Sequence, residues 1–296
     1  MFEKYQEFQH KIYNEARNQF VADPSTLIEL EKYFSDLIFN KLQEHMVAIR
    51  RDYDEASYLH AFWKNYPPEK RGRAPVGDQF PWIEVGEHAL GSKVIDFLEG
   101  YQPRDVGLPT GPDQRYVVSS NDILGITNGI TASAWLFIDI KSVGPRDDFS
   151  HTVMSHNQIS GDGIWNSPAE GISNSILTAT GKRTSHPFHC SIPPLYVLSD
   201  GTVAPVIMMA IKPVYKMLSL QEGIGESGQP LSKVSLITIP NGIPLTVSPN
   251  YLKQHPSLLF PGKDDKGKDP LKVRARISFE LLSKIADWRV RTTTLA

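Results

Sequence analysis

The segment that most constrains the fold is Ala134-Trp-Leu-Phe-Ile-Asp-Ile-Lys141, a short apolar run that ends in charged residues. Its length and its large apolar side chains predict a buried β-strand. A second strand is predicted by Arg115-Tyr-Val-Val118, shortly before it in the chain. Pro112-Asp113 opens this second strand, so acidic residues stand at one end of each.

Helices are predicted ahead of these strands. Apolar residues recur at helical spacing over residues 27–38, after the helix-start signal Asp23-Pro24-Ser25. A second helix is predicted over residues 81–100, which carry a broad apolar stripe. The order of helices, then strands, then mixed elements predicts the α/β class, with a single domain and a central mixed β-sheet flanked by helices.

The second half of the chain predicts hairpins. Residues 195–209 and 235–247 each contain two strand-like runs, with turns at Asp200-Gly201 and Asn241-Gly242. Before them, residues 144–194 are rich in Gly, Ser, Asn, Pro and His, and only residues 173–179 suggest a short helix. Segments this long and irregular are usually binding loops or disordered.

Composition narrows the class of protein. The longest apolar stretch, residues 203–211, contains a proline, and the N-terminus lacks an apolar signal region, so we expect a cytoplasmic protein with no membrane contact. The single Cys190 agrees with a reducing compartment. Residues 1–60 hold 11 acidic and 7 basic side chains, whereas residues 261–296 hold 5 and 9, so a local basic surface or merely solvated faces are both open.

The strand end at Asp139-Ile140-Lys141 offers a candidate site. Side chains at positions i and i+2 share one strand face, so Asp139 and Lys141 point into the same space, and Asp113 can join them from the neighbouring strand. Two carboxylates and a main-chain carbonyl such as that of Ile140 suit Mg²⁺, and the lysine would face a scissile phosphate. Acid-x-Lys triplets occur here no more often than chance, so an ordinary exposed pair stays the alternative.

The run from Asp113-Gln-Arg-Tyr-Val-Val to Phe137-Ile-Asp-Ile-Lys141-Ser-Val-Gly-Pro-Arg-Asp resembles the PD-(D/E)XK nuclease signature. The surrounding sequence, from about residue 47 to about residue 290, is similar to one family of type II restriction endonucleases within that superfamily. The first 45 residues match it poorly. The further segments that carry the resemblance are Phe62-Trp-Lys-Asn-Tyr-Pro-Pro, Gly77-Asp-Gln-Phe-Pro-Trp-Ile-Glu-Val-Gly-Glu, Gly107-Leu-Pro-Thr-Gly-Pro-Asp, Ile192-Pro-Pro-Leu-Tyr-Val-Leu-Ser-Asp-Gly-Thr-Val-Ala-Pro-Val, Pro240-Asn-Gly and Phe260-Pro-Gly-Lys-Asp-Asp.

The resemblance implies a restriction-endonuclease-like fold and a homodimer that cuts double-stranded DNA with Mg²⁺, for which Mn²⁺ can substitute. The expected site is an interrupted palindrome with GCC half-sites and a five-base spacer, cut to leave 3′ extensions, and the host should carry a cognate DNA methyltransferase. Asp113 and Asp139 fall on the family's metal-binding carboxylates, and Lys141 falls on its catalytic lysine. The residues that fall on its base contacts are Lys263, Asp265, Arg274 and Arg276.

On this interpretation, residues 1–296 form one restriction-endonuclease-like domain. Residues 1–60 are its helical N-terminal part, residues 81–143 its helix and catalytic strands, and residues 144–194 its long irregular segment. Residues 195–250 form the hairpins, and residues 251–296 form the basic segment that reads DNA. Twofold symmetry of the protein should match twofold symmetry of the DNA site.

Other motifs support weaker hypotheses. Glu84 and Glu87 could reach the metal or simply face solvent, and the Asp and His residues of Asp147-Asp148-Phe-Ser-His151 could contact DNA or water. Gly223-Ile-Gly-Glu-Ser-Gly228 spells a dinucleotide fingerprint, but a strand-like run follows it instead of a helix. His186-Pro-Phe-His-Cys190 carries zinc-capable side chains without a fourth ligand, and Cys190 lacks the features of a nucleophile.

Two other functions compete with a restriction enzyme. A repair or recombination nuclease of the same fold would recognise DNA structure instead of sequence. A DNA-binding regulator on a nuclease scaffold would bind without cutting, but it would have no physical need for two closely spaced carboxylates beside phosphate.

Overall fold

The computed structural model describes residues 2–63, 86–107, 111–142, 150–215, 231–262 and 274–294. The predicted N-terminal helical region is confirmed as three helices, and the predicted helix at residues 81–100 is confirmed in its described part, where a π-helix at Gly86–Leu90 leads into an α-helix. The α-helices are α1 Phe2–Ala22, α2 Ser25–Glu44, α3 Met46–Trp63, α4 Gly91–Phe97, α5 Asn121–Ile126, α6 Gly242–Thr246, α7 Tyr251–Gln254 and α8 Phe279–Ile285.

The strands of the described residues form one large sheet and two small ones. They are β1 Arg104–Asp105, β2 Gln114–Ser119, β3 Ser133–Ile140, β4 His151–Met154, β5 Leu177–Thr180, β6 Ser185–Phe188, β7 Leu195–Val197, β8 Val203–Tyr215, β9 Leu231–Ile239, β10 Leu259–Pro261, β11 Ala275–Ser278 and β12 Val290–Thr294. The large sheet has the order β1-β2-β3-β8-β9-β12, with β7 also paired to β8, and the small sheets are β10-β11-β4 and β5-β6. Strand β3 pairs with β2 antiparallel and with β8 parallel, so the predicted mixed sheet is confirmed.

Both faces of the large sheet are covered, which explains why β3 is buried at every position. Leu136 and Ile138 of β3 face a core that includes buried residues of α2, α3 and α4. Trp135 and Phe137 face the opposite core, to which β4, β5, β6 and β11 contribute. Because side chains alternate along a strand, Asp139 lies on the same face as Trp135 and Phe137, towards the small sheets.

The small sheet β10-β11-β4 packs its apolar side chains into this second core. In β11, Ala275 and Ile277 are buried in it, whereas Arg276 and Ser278 alternate with them and are partly exposed. Strand β4 pairs with β11 in antiparallel register, with Val153 opposite Arg276. The small sheet is therefore attached to the face of the large sheet that carries Asp139.

The first predicted hairpin is confirmed, because β7 pairs antiparallel with β8 around Asp200-Gly201. The second is wrong: after β9 the chain enters helix α6 instead of turning back as a strand. The side chain of Asn241 accepts a hydrogen bond from the Ile243 backbone at 3.0 Å, which caps the helix. An Asn-Gly pair thus serves here as a helix start, not as a β-turn.

The helix predicted at residues 173–179 is also wrong. Ser173 forms a β-bridge with Ile164, and Leu177–Thr180 is strand β5, which pairs with β6. The described part of the segment predicted as irregular, residues 144–194, contains the short strands β4, β5 and β6. Their side chains anchor in the second core, so tertiary packing overrides the weak local pattern.

None of the helices in the described part of the chain combines the length and the apolar content needed to span a membrane.

Candidate active site

Asp113 lies at the edge of the large sheet, just before β2 begins at Gln114. Its Oδ2 atom accepts a hydrogen bond from the backbone N–H of Ile140 at 2.7 Å. A carboxylate thus takes the place of a strand carbonyl at the end of the β2–β3 ladder. Asp113 is itself exposed, so its other oxygen can meet a ligand from solvent.

Ile140 also brings its own carbonyl to this edge. In an extended strand the N–H and C=O of one residue point to the same side. Because the N–H of Ile140 faces Asp113, its carbonyl oxygen faces the same side, away from β8. The next residue points the other way, since the backbone N–H of Lys141 donates to the Ile211 carbonyl of β8 at 2.8 Å.

Asp139 is almost fully buried, with 1% of its surface exposed. Its Oδ2 atom forms an ion pair with Nζ of Lys141 at 2.6 Å, while its Oδ1 atom accepts a hydrogen bond from the side-chain amide of Gln158. The Lys141 side chain is 30% exposed, so its ammonium group is at the protein surface while its partner is not. The pair is therefore reachable from solvent through the lysine.

The sheet edge brings together Asp113, Asp139 and Lys141, and the carbonyl of Ile140 joins them. Two carboxylates and one carbonyl form an all-oxygen donor set, which fits Mg²⁺ or Mn²⁺, because these ions prefer oxygen ligands and keep some of their water. The described residues contain no group of three or more His, Cys, Asp or Glu side chains that could hold a metal ion.

Ser142, which follows Lys141 in the chain, packs against the π-helix and α3. The hydroxyl of Tyr53 lies 3.4 Å from Oγ of Ser142, and burial raises the pKa of the Tyr53 phenol above its usual value. A Cβ atom added to Gly86 would lie 1.9 Å from Oγ of Ser142. A glycine is needed at this position because the π-helix approaches the strand end so closely.

Of the four residues predicted to contact bases, Arg274 and Arg276 lie in or next to β11, whereas Lys263 and Asp265 lie outside the described residues. Arg274 is exposed, and Arg276 follows two positions later on the same face of the strand. That face is the one opposite Ala275 and Ile277, which are buried. Both guanidinium groups are thus carried by the outer face of the small sheet.

The weaker hypotheses have mixed outcomes. Cys190 is buried, and burial raises the pKa of its thiol, so it is not an activated nucleophile. The His186, His189 and Cys190 cluster does not form a metal-binding group among the described residues. His151 is the first residue of β4, and the side chain of Glu87 is not among those described. The other positions, outside the described residues, are Glu84, Asp147, Asp148 and residues 223–228.

Two residues beside the site do not stand out in the sequence. Gln158 contacts Asp139 directly, and Lys212 of β8 follows Ile211, whose carbonyl accepts from Lys141. Lys212 is 4% exposed, and its Nζ atom donates to the His151 carbonyl at 2.7 Å. The charge of Lys212 inside an apolar strand was the available signal, whereas Gln158 was recognisable only as the end of a Ser-x-x-Gln helix-capping pattern.

Comparison with known proteins identifies close relatives. The family model described as restriction endonuclease BglI matches residues 8–293. The type II restriction enzyme BglI of Bacillus subtilis is 45% identical over 278 residues, which cover 92% of this chain and 92% of that protein. The crystal structure of the restriction endonuclease BglI bound to its DNA recognition sequence superimposes with a TM-score of 0.91 at 44% identity, covering 99% of both chains.

A more distant solved structure shares the fold alone. The tetrameric restriction endonuclease SfiI bound to cognate DNA has a TM-score of 0.57 and 14% identity, covering 90% of this chain and 84% of that one.

Proposed function

Because the chain belongs to the BglI restriction endonuclease family, we propose that it is a Mg²⁺-dependent type II restriction endonuclease of double-stranded DNA. Its expected target is an interrupted palindrome of the GCC-N5-GGC kind, cut to leave 3′ overhangs and 5′-phosphates. The identity of 45% over nearly the whole chain, together with the retained Arg and Asp types at the base-reading positions, supports this target.

The single observation that carries the catalytic part of the proposal is the hydrogen bond from Ile140 N–H to Asp113. This bond holds the Asp113 carboxylate beside the Asp139–Ile140 peptide, so that two acids and one carbonyl can hold Mg²⁺ at one sheet edge. Mg²⁺ bound there supplies positive charge that polarises the phosphate and favours ionisation of water.

Lys141 carries the second part of the chemistry. Its ammonium group is partly exposed and lies 2.6 Å from Asp139, so it can reach a phosphate that approaches the two carboxylates. There it donates hydrogen bonds to phosphate oxygens, orients the attacking water and offsets the negative charge that develops on the phosphorus oxygens. In-line attack expels the 3′ oxygen and leaves a 5′-phosphate and a 3′-hydroxyl.

Recognition and catalysis use different sheets of one subunit. Arg274 and Arg276 on the outer face of β11 would donate to guanine O6 and N7, with Lys263 and Asp265 completing the base contacts. Two subunits related by twofold symmetry would read the two half-sites of the palindrome and cut one strand each. We place the enzyme in the cytoplasm, together with a methyltransferase that protects host DNA.

Digestion of a plasmid of known sequence with Mg²⁺ tests this function. Discrete fragments whose ends share one interrupted palindrome and a 3′ overhang are expected, and sequencing of the ends reads both the site and the stagger. The Asp113→Ala protein should bind the same duplex and leave it intact.

Three outcomes would contradict the proposal. Equal cleavage by wild type and Asp113→Ala would exclude the assigned site. Nicks that follow DNA structure and ignore sequence would indicate a repair or recombination nuclease. Binding without cleavage in both Mg²⁺ and Mn²⁺ would indicate a regulator.

A further inference from the structure

Gln158 occupies a buried position between the candidate metal site and strand β4. It ends the short 3-10 helix His156–Gln158, which directly follows Ser155 and β4, and 6% of its surface is exposed. Its Nε2 atom donates to Oδ1 of Asp139. Its Oε1 atom accepts from the backbone N–H of Ser155 at 3.0 Å and from the Ser155 hydroxyl at 2.9 Å.

The two bonds from Ser155 determine which way the Gln158 amide faces. A backbone N–H can only donate, so the group that meets Ser155 must be the amide oxygen. The amide nitrogen must then face Asp139, where it donates to the carboxylate. The orientation of this amide follows from its hydrogen-bonding partners and not from an arbitrary choice between oxygen and nitrogen.

This donor fixes Asp139 without using up its capacity to bind a ligand. Each carboxylate oxygen offers about two acceptor positions, so Oδ1 can accept from Gln158 and still bind a cation. The other oxygen is paired with Lys141. Mutation of a residue that hydrogen-bonds a metal-binding carboxylate without binding the metal typically lowers metal affinity or activity by about 10- to 100-fold.

Helix capping alone does not account for the amide. Ser155 and Gln158 form a capping box, in which the last residue must only accept a hydrogen bond from the first. A glutamate would meet that need as well as a glutamine does. The additional donor, aimed at a buried carboxylate, is what distinguishes the side chain present here.

The hydrogen bonds between Ser155 and Gln158 connect Asp139 to strand β4, which pairs with β11. Ser155 follows the last residue of β4, and β4 pairs with β11 so that Val153 lies opposite Arg276. At the other end of β4, Lys212 of the large sheet holds the His151 carbonyl at 2.7 Å. Strand β4 is thus tied to the large sheet at both ends, once by Lys212 and once by the Gln158–Asp139 contact.

We propose that Gln158 is a positioning residue, which holds Asp139 in the orientation needed for metal binding and connects it to β4. The inference rests on the proposed function of Asp139. Gln158 is buried beside Asp139, and it acts through the carboxylate that it orients.

The test uses two proteins. Gln158→Glu keeps the acceptor for Ser155 but places a second carboxyl group against Asp139, whereas Gln158→Met removes the donor to Asp139 without adding charge. Binding of Mn²⁺ to each protein with its cognate duplex, measured by electron paramagnetic resonance, should weaken by about 10- to 100-fold. The single-turnover cleavage rate at saturating DNA should fall by a similar factor at a fixed Mn²⁺ concentration. DNA binding without metal should stay within about twofold, because the base contacts are elsewhere.

Gln19→Glu is the matched control, since Gln19 is an exposed glutamine on α1 and the chemical change is identical. Unchanged Mn²⁺ affinity and rate in Gln158→Met would overturn the proposal, because this change removes the donor to Asp139 and adds no charge. If Gln158→Glu fails to fold, Gln158→Met provides the same readouts and is judged by the same criteria.

The Asp139→Asn protein separates the two levels of inference. If Asp139→Asn cleaves as fast as wild type, the proposed function of the site fails. If Asp139→Asn is inactive while Gln158→Glu and Gln158→Met both bind Mn²⁺ and cleave as wild type does, only the positioning role fails.

Discussion

Two of the ion pairs in the described part of the chain, Arg289–Glu31 and Lys141–Asp139, differ in how completely they are enclosed. Arg289 and Glu31 are both 0% exposed and lie 2.6 Å apart, whereas the Lys141–Asp139 pair has the same separation but a lysine side chain that is 30% exposed. One pair is sealed from solvent, and the other has a route to it. The contrast separates a structural ion pair from a site that can exchange one partner for a ligand.

Both members of the sealed pair have further partners. Oε1 of Glu31 accepts from the backbone N–H of Asn241 at 2.5 Å, and the guanidinium of Arg289 lies 4.4 Å from the ring of Trp288. Burial raises the pKa of Glu31, and the neighbouring Arg289 charge and the Asn241 hydrogen bond oppose that rise. The ion pair joins α2 to the segment just before β12, and the Asn241 hydrogen bond joins α2 to the end of β9, so Glu31 holds a helix on the sheet.

The largest expected effect separates the two acids by function. Asp139→Asn should lower the single-turnover cleavage rate by about 10⁴-fold, because the amide cannot supply the negative charge that holds Mg²⁺. The free energy of unfolding should change by less than about 2 kcal/mol, since Lys141 can turn to solvent when its partner is lost. Glu31→Gln should show the opposite pattern, with near-normal cleavage and a large loss of stability in urea denaturation. If the cleavage rate of Asp139→Asn stays within tenfold of wild type, the open pair is not the catalytic site and the distinction between the two acids is wrong.

The next largest effect distinguishes the two basic residues, Arg289 and Lys141, by how much each contributes to the free energy of unfolding. Arg289→Met should lower the free energy of unfolding by about 3 to 5 kcal/mol, because it leaves the Glu31 carboxylate buried without its cation. Lys141→Met makes the same chemical change at the open pair, where it should cost less stability than Arg289→Met does, because water can reach Asp139 through the space that the lysine leaves, but about 10²- to 10³-fold in cleavage rate. Urea denaturation and single-turnover kinetics on both proteins measure the difference. Equal losses of stability would show that enclosure does not distinguish the pairs.

The smallest effect concerns base reading. Arg276→Met should reduce discrimination between the cognate site and a site with one changed outer base by about 1 to 3 kcal/mol. Arg50→Met is the control, since Arg50 lies on α3, which packs against the other face of the large sheet. Competition binding in Ca²⁺, at one fixed salt concentration, measures both ratios. If both variants lose discrimination equally, Arg276 acts only through its charge.

The sequence predicted the centre of the fold well. Strands β2 and β3 were foreseeable because apolar runs bounded by polar residues reflect burial, which is a local property of the sequence. The meeting of Asp113, Asp139 and Lys141 followed from strand order and alternation. The hairpin predicted at Asn241-Gly242 was wrong. The chain begins a helix there, and the Asn241 backbone N–H is held by Glu31, a residue 210 positions away, which the local pattern could not indicate.

The same limit applies to the residues that surround the site. Gln158 and Asp139 are 19 residues apart, and Glu31 and Arg289 are 258 apart. Nothing in the local pattern of either segment indicates its partner, because the contacts exist only after the sheets have packed. Local sequence patterns thus predicted which side chains could do chemistry but not which side chains hold them in place.

The side chains of strand β11 point alternately to the two faces of the small sheet, so those on one face can change without affecting those on the other. Ala275 and Ile277 contribute to the interior, while Arg274 and Arg276 do not, so the latter can be exchanged without emptying the core. A library randomised at positions 274 and 276 should therefore yield mostly well-folded proteins, and new target preferences could be selected from it. Under the proposed function, the alternation of side chains along this segment would let target preference change while the catalytic chemistry stays the same.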